Sequence, residues 1–306
     1  MSLDADTYLY MRRLKRHLTV WRVIGVVAIV VALVILALSG SEEASQGNRI
    51  ARLTVNGLIV DDPYRDTALR EAAMDDAVRA LIVRISSPGG TVVGGEALYD
   101  QLLAFREKKP VVVVMGEVAA SAGYMIALPG HRIFARQSTI TGSIGVLMQT
   151  TEFTGLMDML GIKPEAIKSA PLKAVPSPVE PLTDDAREAA RAVVLDMYDM
   201  FVEMVIAQRG FDRETALALA DGRVYTGRQA LTAGLIDELG DEQAAIRWLE
   251  AEKEIPADLP IFDLEIDYPK ETWEKLLESS LGMDLVPDRL QLDGLISLWH
   301  PDLGTR

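Results

Sequence analysis

The run Val111-Val112-Val113-Val114-Met115 offers no polar residue to either face of a strand. Side chains alternate across a pleat, so a strand with one wetted face alternates polar and apolar residues; a strand with none has both faces covered. Layers must therefore pack on both sides of the sheet that holds this run. The surrounding sequence supplies them. Ile50–Val55 and Leu58–Val60 read as strands around the turn signal Asn56-Gly57, Thr67–Arg79 as a helix, and Leu81–Ile85 as a short apolar strand. Val92–Arg106 carries apolar residues at helical spacing, Ser121–Leu128 reads as a short helix, and Arg132–Ala135 as a strand. Such alternation predicts an α/β fold with a largely parallel sheet.

Farther along, Thr183 is a candidate N-cap, with Asp184 and Asp185 placed to favour the helix dipole. The helix it opens is expected to run to Arg209 and stop at Gly210. Shorter helices are predicted at Arg213–Ala220, Gly227–Ala233 and Glu242–Glu252. After Ile255 the chain is rich in Pro and Asp, with one amphipathic helix candidate at Lys270–Leu281.

The N-terminal part is of another kind. Val23–Leu38 is an uncharged apolar run of 16 residues. At about 1.5 Å per residue it reaches about 24 Å, and adding Leu18–Trp21 brings it to the thickness of a bilayer core, about 30 Å. Arg12, Arg13, Lys15, Arg16 and Arg22 lie on its N-terminal side. The positive-inside rule then keeps the N-terminus cytoplasmic and exports the rest of the chain. A cleaved signal peptide is the competing reading, because Ala37-Leu38-Ser39 resembles a small-x-small cleavage site. The expected organisation is a cytoplasmic tail over 1–17, a single-pass anchor over 18–39, a linker over 40–48, an α/β domain over 49–253 on the exported, periplasmic side, and an extension over 254–306.

Composition narrows the chemistry. Cysteine is absent, which removes disulfides, thiolate metal sites and a cysteine nucleophile. A net charge of −14 argues against a nucleic-acid surface. There is no His-Glu-x-x-His and no paired Asp-Thr/Ser-Gly, so neither metalloprotease nor aspartic protease chemistry is expected, and no cofactor is called for.

Three small-residue segments follow apolar strands: Ser86-Ser87-Pro88-Gly89-Gly90-Thr91, Gly116 to Tyr124, and Ile140 to Val146. Carboxyl ends of strands are where α/β sheets form sites. Ser121 stands among small neighbours at the start of a helix, where a substrate backbone can approach closely. The N–H of Ala122, with that of Gly89 or Gly90, can face a shared oxyanion hole; one such donor is worth about 3–4 kcal/mol elsewhere. Taken singly, each segment is also a common packing device.

A serine nucleophile needs a base. Of the three histidines, His17, His131 and His300, only His131 falls inside the fold, in the loop Pro129-Gly130-His131-Arg132. Lysine can serve if it is neutral, which takes a shift of about 3 pH units by desolvation. Lys163, Lys168 and Lys173 are near in sequence; Lys173 sits in the apolar, proline-flanked stretch Ala170-Pro171-Leu172-Lys173-Ala174-Val175-Pro176. On composition alone an exposed loop remains the simpler reading of that stretch.

Together the segments Ser87–Glu96, Gly116–Tyr124, Thr139–Val146 and Asp221–Gly240, in this order, resemble the signal peptide peptidase A (protease IV) family in its short single-domain form. The resemblance implies a ClpP/crotonase-like fold of repeated ββα units and a Ser-Lys dyad. It implies Ser121 as nucleophile, Lys173 as base, Ser143 as the residue that orients the lysine, and Gly89 and Ala122 as oxyanion donors. It also implies hydrophobic peptide substrates, such as signal peptide remnants, and a homo-oligomer at the membrane. Ala122 stands where the family more often has Gly, and no acidic residue follows Lys173. A non-catalytic scaffold and a crotonase-like acyl-CoA enzyme are the rival readings; the first needs no serine and lysine, the second no anchor.

Overall fold

A computed structural model describes residues 47–268, the backbone of Leu295–Leu298, and the helical positions Trp21, Arg22, Ile24, Gly25, Val26 and Ile29. Most of the expected anchor over 18–39, and the helix candidate at Lys270–Leu281, lie outside the described residues. No described helix is long and apolar enough to cross a membrane. Residues 1–48 and 49–306 form separate units.

The first half of the second unit alternates as expected: β1 (Arg49–Ile59), α1 (Pro63–Met74), β2 (Val78–Thr91), α2 (Val92–Arg106), β3 (Val111–Ala120), the single turn α3 (Ala122–Met125) and β4 (Arg132–Ala135). β1, β2, β3 and β4 pair in parallel with their neighbours. Then come β5 (Ile140–Gly142), β6 (Leu147–Met148), α4 (Thr154–Met159), α5 (Asp184–Arg209), α6 (Arg213–Leu219), β7 (Val224–Thr226), α7 (Gly227–Thr232), β8 (Glu238–Leu239), α8 (Glu242–Glu252), β9 (Ile261–Asp263) and β10 (Leu295–Leu298). β9 extends the parallel set beside β1, whereas β7 and β10 pair antiparallel.

Both faces of the central strands are buried, as the run at Val111 requires. Leu81, Val83, Ile85, Val111, Val113 and Met115 face a large core shared with α2, α3 and the end of α5. Ile82, Val112, Val114 and Phe134 face a smaller core closed by Ala245 and Leu249 of α8. Full burial of a side chain such as Phe201 or Leu249 contributes about 1.5–3 kcal/mol.

Two local expectations need correction. Asn56-Gly57 does not reverse the chain. Gly57, at φ +69°, makes a bulge, and β1 continues through it with its register against β2 shifted between Asn56 and Leu58. The first helix starts at Pro63 rather than Thr67: Asp62 caps it, accepting from the N–H groups of Tyr64 and Arg65, each at 3.1 Å, and Pro63 occupies its first position. It ends at Met74, and the chain is already strand from Val78.

Candidate active site

β3 ends at Ala120, and the chain reverses at Ser121 with φ 57° and ψ −119°, a backbone conformation an L-residue rarely takes. Its N–H donates to Gly142 O at 2.8 Å, and its carbonyl accepts from Tyr124 and Met125, each at 2.9 Å. Those bonds anchor the turn on both sides. A strand-to-helix turn of this kind aims a serine side chain off the end of the sheet; Ser121 is buried there, 1% exposed. Gly123 lets the adjoining helix press against β2: a Cβ there would stand 2.8 Å from Ser87 O.

Two neighbouring segments close around this turn. In the first, Ser87 is fully buried, its Oγ accepting from Gly89 N–H and donating to Gly89 O, both at 3.1 Å. Gly89 takes φ +127°. Gly90 packs so tightly that a Cβ would lie 1.8 Å from Ile59 O. In the second, Thr141 Oγ1 donates to Ala119 O at 2.7 Å, and Ser143, buried at φ 51°, donates its N–H to Arg223 O at 2.8 Å. Ala122 opens α3, so its N–H has no partner within that helix. Ser121, Ala122, Gly89, Gly90 and Ser143 are thus drawn to one place at the carboxyl ends of β2, β3 and β5. Sequence alone does not single out the bracing hydroxyls of Ser87 and Thr141; both stand inside the small-residue motifs, but nothing in the spacing says which backbone group each would reach.

Lys173 is not part of this cluster in the single chain. It lies on an exposed turn, its N–H donating to Ala170 O at 3.1 Å. No residue from Gly145 to Asp185 is buried. Lys168, by contrast, is held in an ion pair with Glu180. His131 is placed at the wrong end of the sheet. Its Nδ1 accepts from Val111 N–H at 3.1 Å, at the start of β3, while Ser121 comes just after the last residue of that ten-residue strand. At about 3.3 Å per residue the two are about 30 Å apart along the strand. Burial, with Arg106 and Lys253 nearby, pushes the imidazole below its ordinary pKa.

The fourth motif, Asp221 to Gly240, supports the others. Gly142 and Gly227 admit close approaches: a Cβ would meet the Tyr225 ring at 2.5 Å at the first and Arg136 O at 2.0 Å at the second. Asp237 accepts from Ile133 N–H at 2.8 Å and pairs with Arg209 at 2.8 Å, joining β4 to the end of α5. Tyr124, fully buried beside the Ser121 turn, donates to Leu235 O at 2.9 Å, and burial raises its pKa. A separate depression of about 660 Å³, lined by Thr54, Arg84, Glu117 and Arg136 among others, lies on the α8 face of the sheet and includes none of the serine cluster.

A serine raised on a strained strand-to-helix turn, beside glycine-rich amides on an α/β scaffold, defines a serine-type peptidase. The model of peptidase family S49 matches residues 104–256, and the chain belongs to that family. It is 34% identical over 265 residues to a putative protease of Synechocystis, covering 86% of this chain and 95% of that one. It is 31% identical to a putative signal peptide peptidase SppA of Enterococcus faecium, over 70% of this chain and 66% of that one. Protease 4 of Salmonella typhi is 33% identical over 66% of this chain, but over only 34% of its own length. Among solved structures, the chain is similar to a membrane-bound stomatin-specific protease, with 17% identity, 72% and 98% coverage and a TM-score of 0.49.

Proposed function

We propose that this protein is a membrane-anchored serine endopeptidase with a Ser121–Lys173 dyad, held by 18–39 and acting on hydrophobic peptides, signal peptide remnants among them, on the exported side of the membrane. The observation that carries the reading is the strained turn at Ser121, set beside the amides of Ala122 and the Gly89-Gly90 turn. In the reaction, neutral Lys173 takes the Ser121 hydroxyl proton as Oγ attacks the scissile carbonyl. The oxyanion is held by Ala122 N–H together with a glycine amide. Gly89 N–H meets the Ser87 hydroxyl at 3.1 Å, a bond the oxyanion must outcompete unless Gly90 supplies the donor. The ammonium then protonates the leaving amine, and water, activated by the same lysine, releases the acyl group and restores Ser121.

Lysine works as a base only when stripped of water, whereas Lys173 is exposed in the single chain. The same segment exposes Phe153, Leu156, Met159, Leu160, Ile162 and Ile167, the last 99% exposed. An apolar surface of this kind marks an interaction site. A second copy of the chain covering it would desolvate Lys173 and complete the dyad, so the active form is a homo-oligomer.

Fluorophosphonate labelling and peptide hydrolysis test the assignment. Ser121→Ala and Lys173→Ala should each lose at least about a thousandfold in kcat/KM, whereas His131→Asn should retain activity. Full hydrolysis by the Ser121→Ala protein would end the serine assignment. Full hydrolysis by Lys173→Ala would leave a serine enzyme with another base.

A further inference from the structure

The α8 face of the sheet is only half covered. Ala245 and Leu249 of α8 close over Ile82, Val112, Val114 and Phe134. Toward the carboxyl ends of the same layer the residues turn polar, and Thr54, Asn56, Arg84 and Arg136 stand exposed. They line the depression of about 660 Å³, a size within the range of small-molecule sites, about 300–1,000 Å³. β3 forms its floor. Val114 pairs with Arg84 on one side and with Phe134 on the other, so Arg136 comes two residues farther along. The two arginine Cα atoms are then about 10 Å apart across the strands and about 7 Å apart along them, on opposite flanks of one floor. Gly116 keeps that floor low: a Cβ there would stand 3.3 Å from Ser86 Oγ.

The charges around the cavity are not matched within the chain. Of the acids that line it, Glu242 is held by Arg52 at 2.9 Å, and Asp241 caps α8, accepting from Ala244 N–H at 3.2 Å. Asp263, whose ionised form Arg84 favours from a distance, is bound by Arg52 at 2.6 and 2.8 Å. Among the described residues no hydrogen bond or ion pair engages the side chains of Arg84, Arg136 or Glu117. Glu117 sits in an irregularity of β3: Ile85 pairs with Met115 but Ser87 pairs with Ala119, so β3 carries two extra residues there. Bulges of this kind re-aim side chains beside sites. Along the strand Glu117 lies three residues past Val114, at most about 10 Å beyond the level of Arg84. Two cationic groups and one anionic group at that separation fit a small zwitterion. Phosphate would satisfy the arginines but bring its charge against Glu117. Three residues of extended peptide span about 10 Å, and Asn56 and Ser86 offer hydrogen bonds to the amides between the ends.

We propose that this cavity binds a short peptide with both ends free, its carboxylate between Arg84 and Arg136 and its ammonium group at Glu117. Peptides of this class are products of the hydrolysis proposed above, and the bulge that carries Glu117 leads on to Ser121 four residues later. That meaning rests on the Ser121 reading, but the binding does not. In the test, trialanine is titrated by calorimetry into the full-length Ser121→Ala protein in detergent. Arg84→Gln and Arg136→Gln should each weaken binding at least tenfold, and Glu117→Gln at least threefold. With all three residues intact, trialanine amide should bind at least tenfold more weakly than trialanine. N-acetyl-trialanine should bind at least threefold more weakly, and Glu117→Gln should not weaken it further. All three side chains are exposed, so the substitutions should leave the unfolding midpoint in place, which calorimetry of the same samples checks. Trialanine binding undiminished by either arginine substitution overturns the proposal, as does no binding to any form at millimolar peptide. Inorganic phosphate that displaces trialanine at equal concentration, with Glu117→Gln without effect, overturns it in favour of a plain anion site. Arginine-dependent binding in a protein whose wild type cleaves no peptide upholds the cavity and removes the peptidase reading instead.

Discussion

Ser121 sits at φ 57° and ψ −119°, and a non-glycine residue held in such a conformation costs about 1–3 kcal/mol. The surroundings enforce it, through Gly142 O ahead of the turn and the amides of Tyr124 and Met125 behind it. A residue that only packed would gain nothing from this arrangement, whereas a nucleophile gains a fixed direction of attack. Ser121→Gly should therefore abolish peptide hydrolysis and raise stability by about 1 kcal/mol, or about 2–4 °C in the thermal midpoint. Ser121→Ala, which keeps the strain, should abolish hydrolysis with little change in midpoint. Equal midpoints for the Gly and Ala variants in calorimetry would show that the turn stores no strain. Ser121 is legible in sequence because small residues crowd the end of an apolar strand. The exposure of Lys173 is not, because apolar and proline neighbours look the same whether they pack inside the chain or wait for a cover outside it.

Among the elements, those with a chemical stop at each end are legible to the residue. α5 runs from the Thr183 cap, which accepts from Ala186 N–H, to Gly210 at φ 68°, as expected. α2 and β4 likewise keep their predicted ends. β1 departs from its expected form because Asn-Gly is a hairpin signal only when an antiparallel partner comes next; here the partner is parallel and the glycine serves a bulge. β2 and β3 extend past their apolar runs into the motifs themselves, Ser86–Thr91 and Gly116–Ala120, since close backbone packing rather than side-chain hydrophobicity continues the pairing there. At the opposite end of the sheet, His131 ties the loop before β4 to the start of β3. Its folded pKa is depressed by burial, so the neutral ring is the form the fold accepts. Its contribution to stability is therefore complete above the unfolded pKa of about 6.5 and is lost as pH falls below it. His131→Asn keeps an acceptor for Val111 N–H without titrating. The variant should lose less thermal stability than wild type between pH 7 and pH 5, while peptidase activity at pH 7 is retained. Parallel pH–stability curves would show that the imidazole is not the group responsible.

For the whole molecule, the uneven distribution of its core matters most. The sheet is buried on both faces, yet the 41 residues from Gly145 to Asp185 bury nothing, and of α5 only Ala186, Phe201, Val202 and Val205 are buried. Met159 is 79% and Leu160 is 65% exposed. An isolated chain gains nothing from holding these side chains in water, while the proposed assembly would bury them and withdraw the neighbouring Lys173 from solvent at the same time. Assembly and base formation would then be one event. Replacing Met159 and Leu160 together by Glu should leave the unfolding free energy of the single chain within about 0.5 kcal/mol of wild type, because neither side chain contributes to its core. The doubly substituted protein should sediment as a monomer in detergent, lose at least tenfold in peptidase activity, and lose fluorophosphonate labelling in parallel, since in the proposed dyad an uncovered lysine would leave Ser121 without its base. Wild-type specific activity should fall on dilution over the same concentration range in which the assembly dissociates. A monomeric Glu variant with undiminished activity would separate assembly from chemistry, and the base would then have to be reached within one chain.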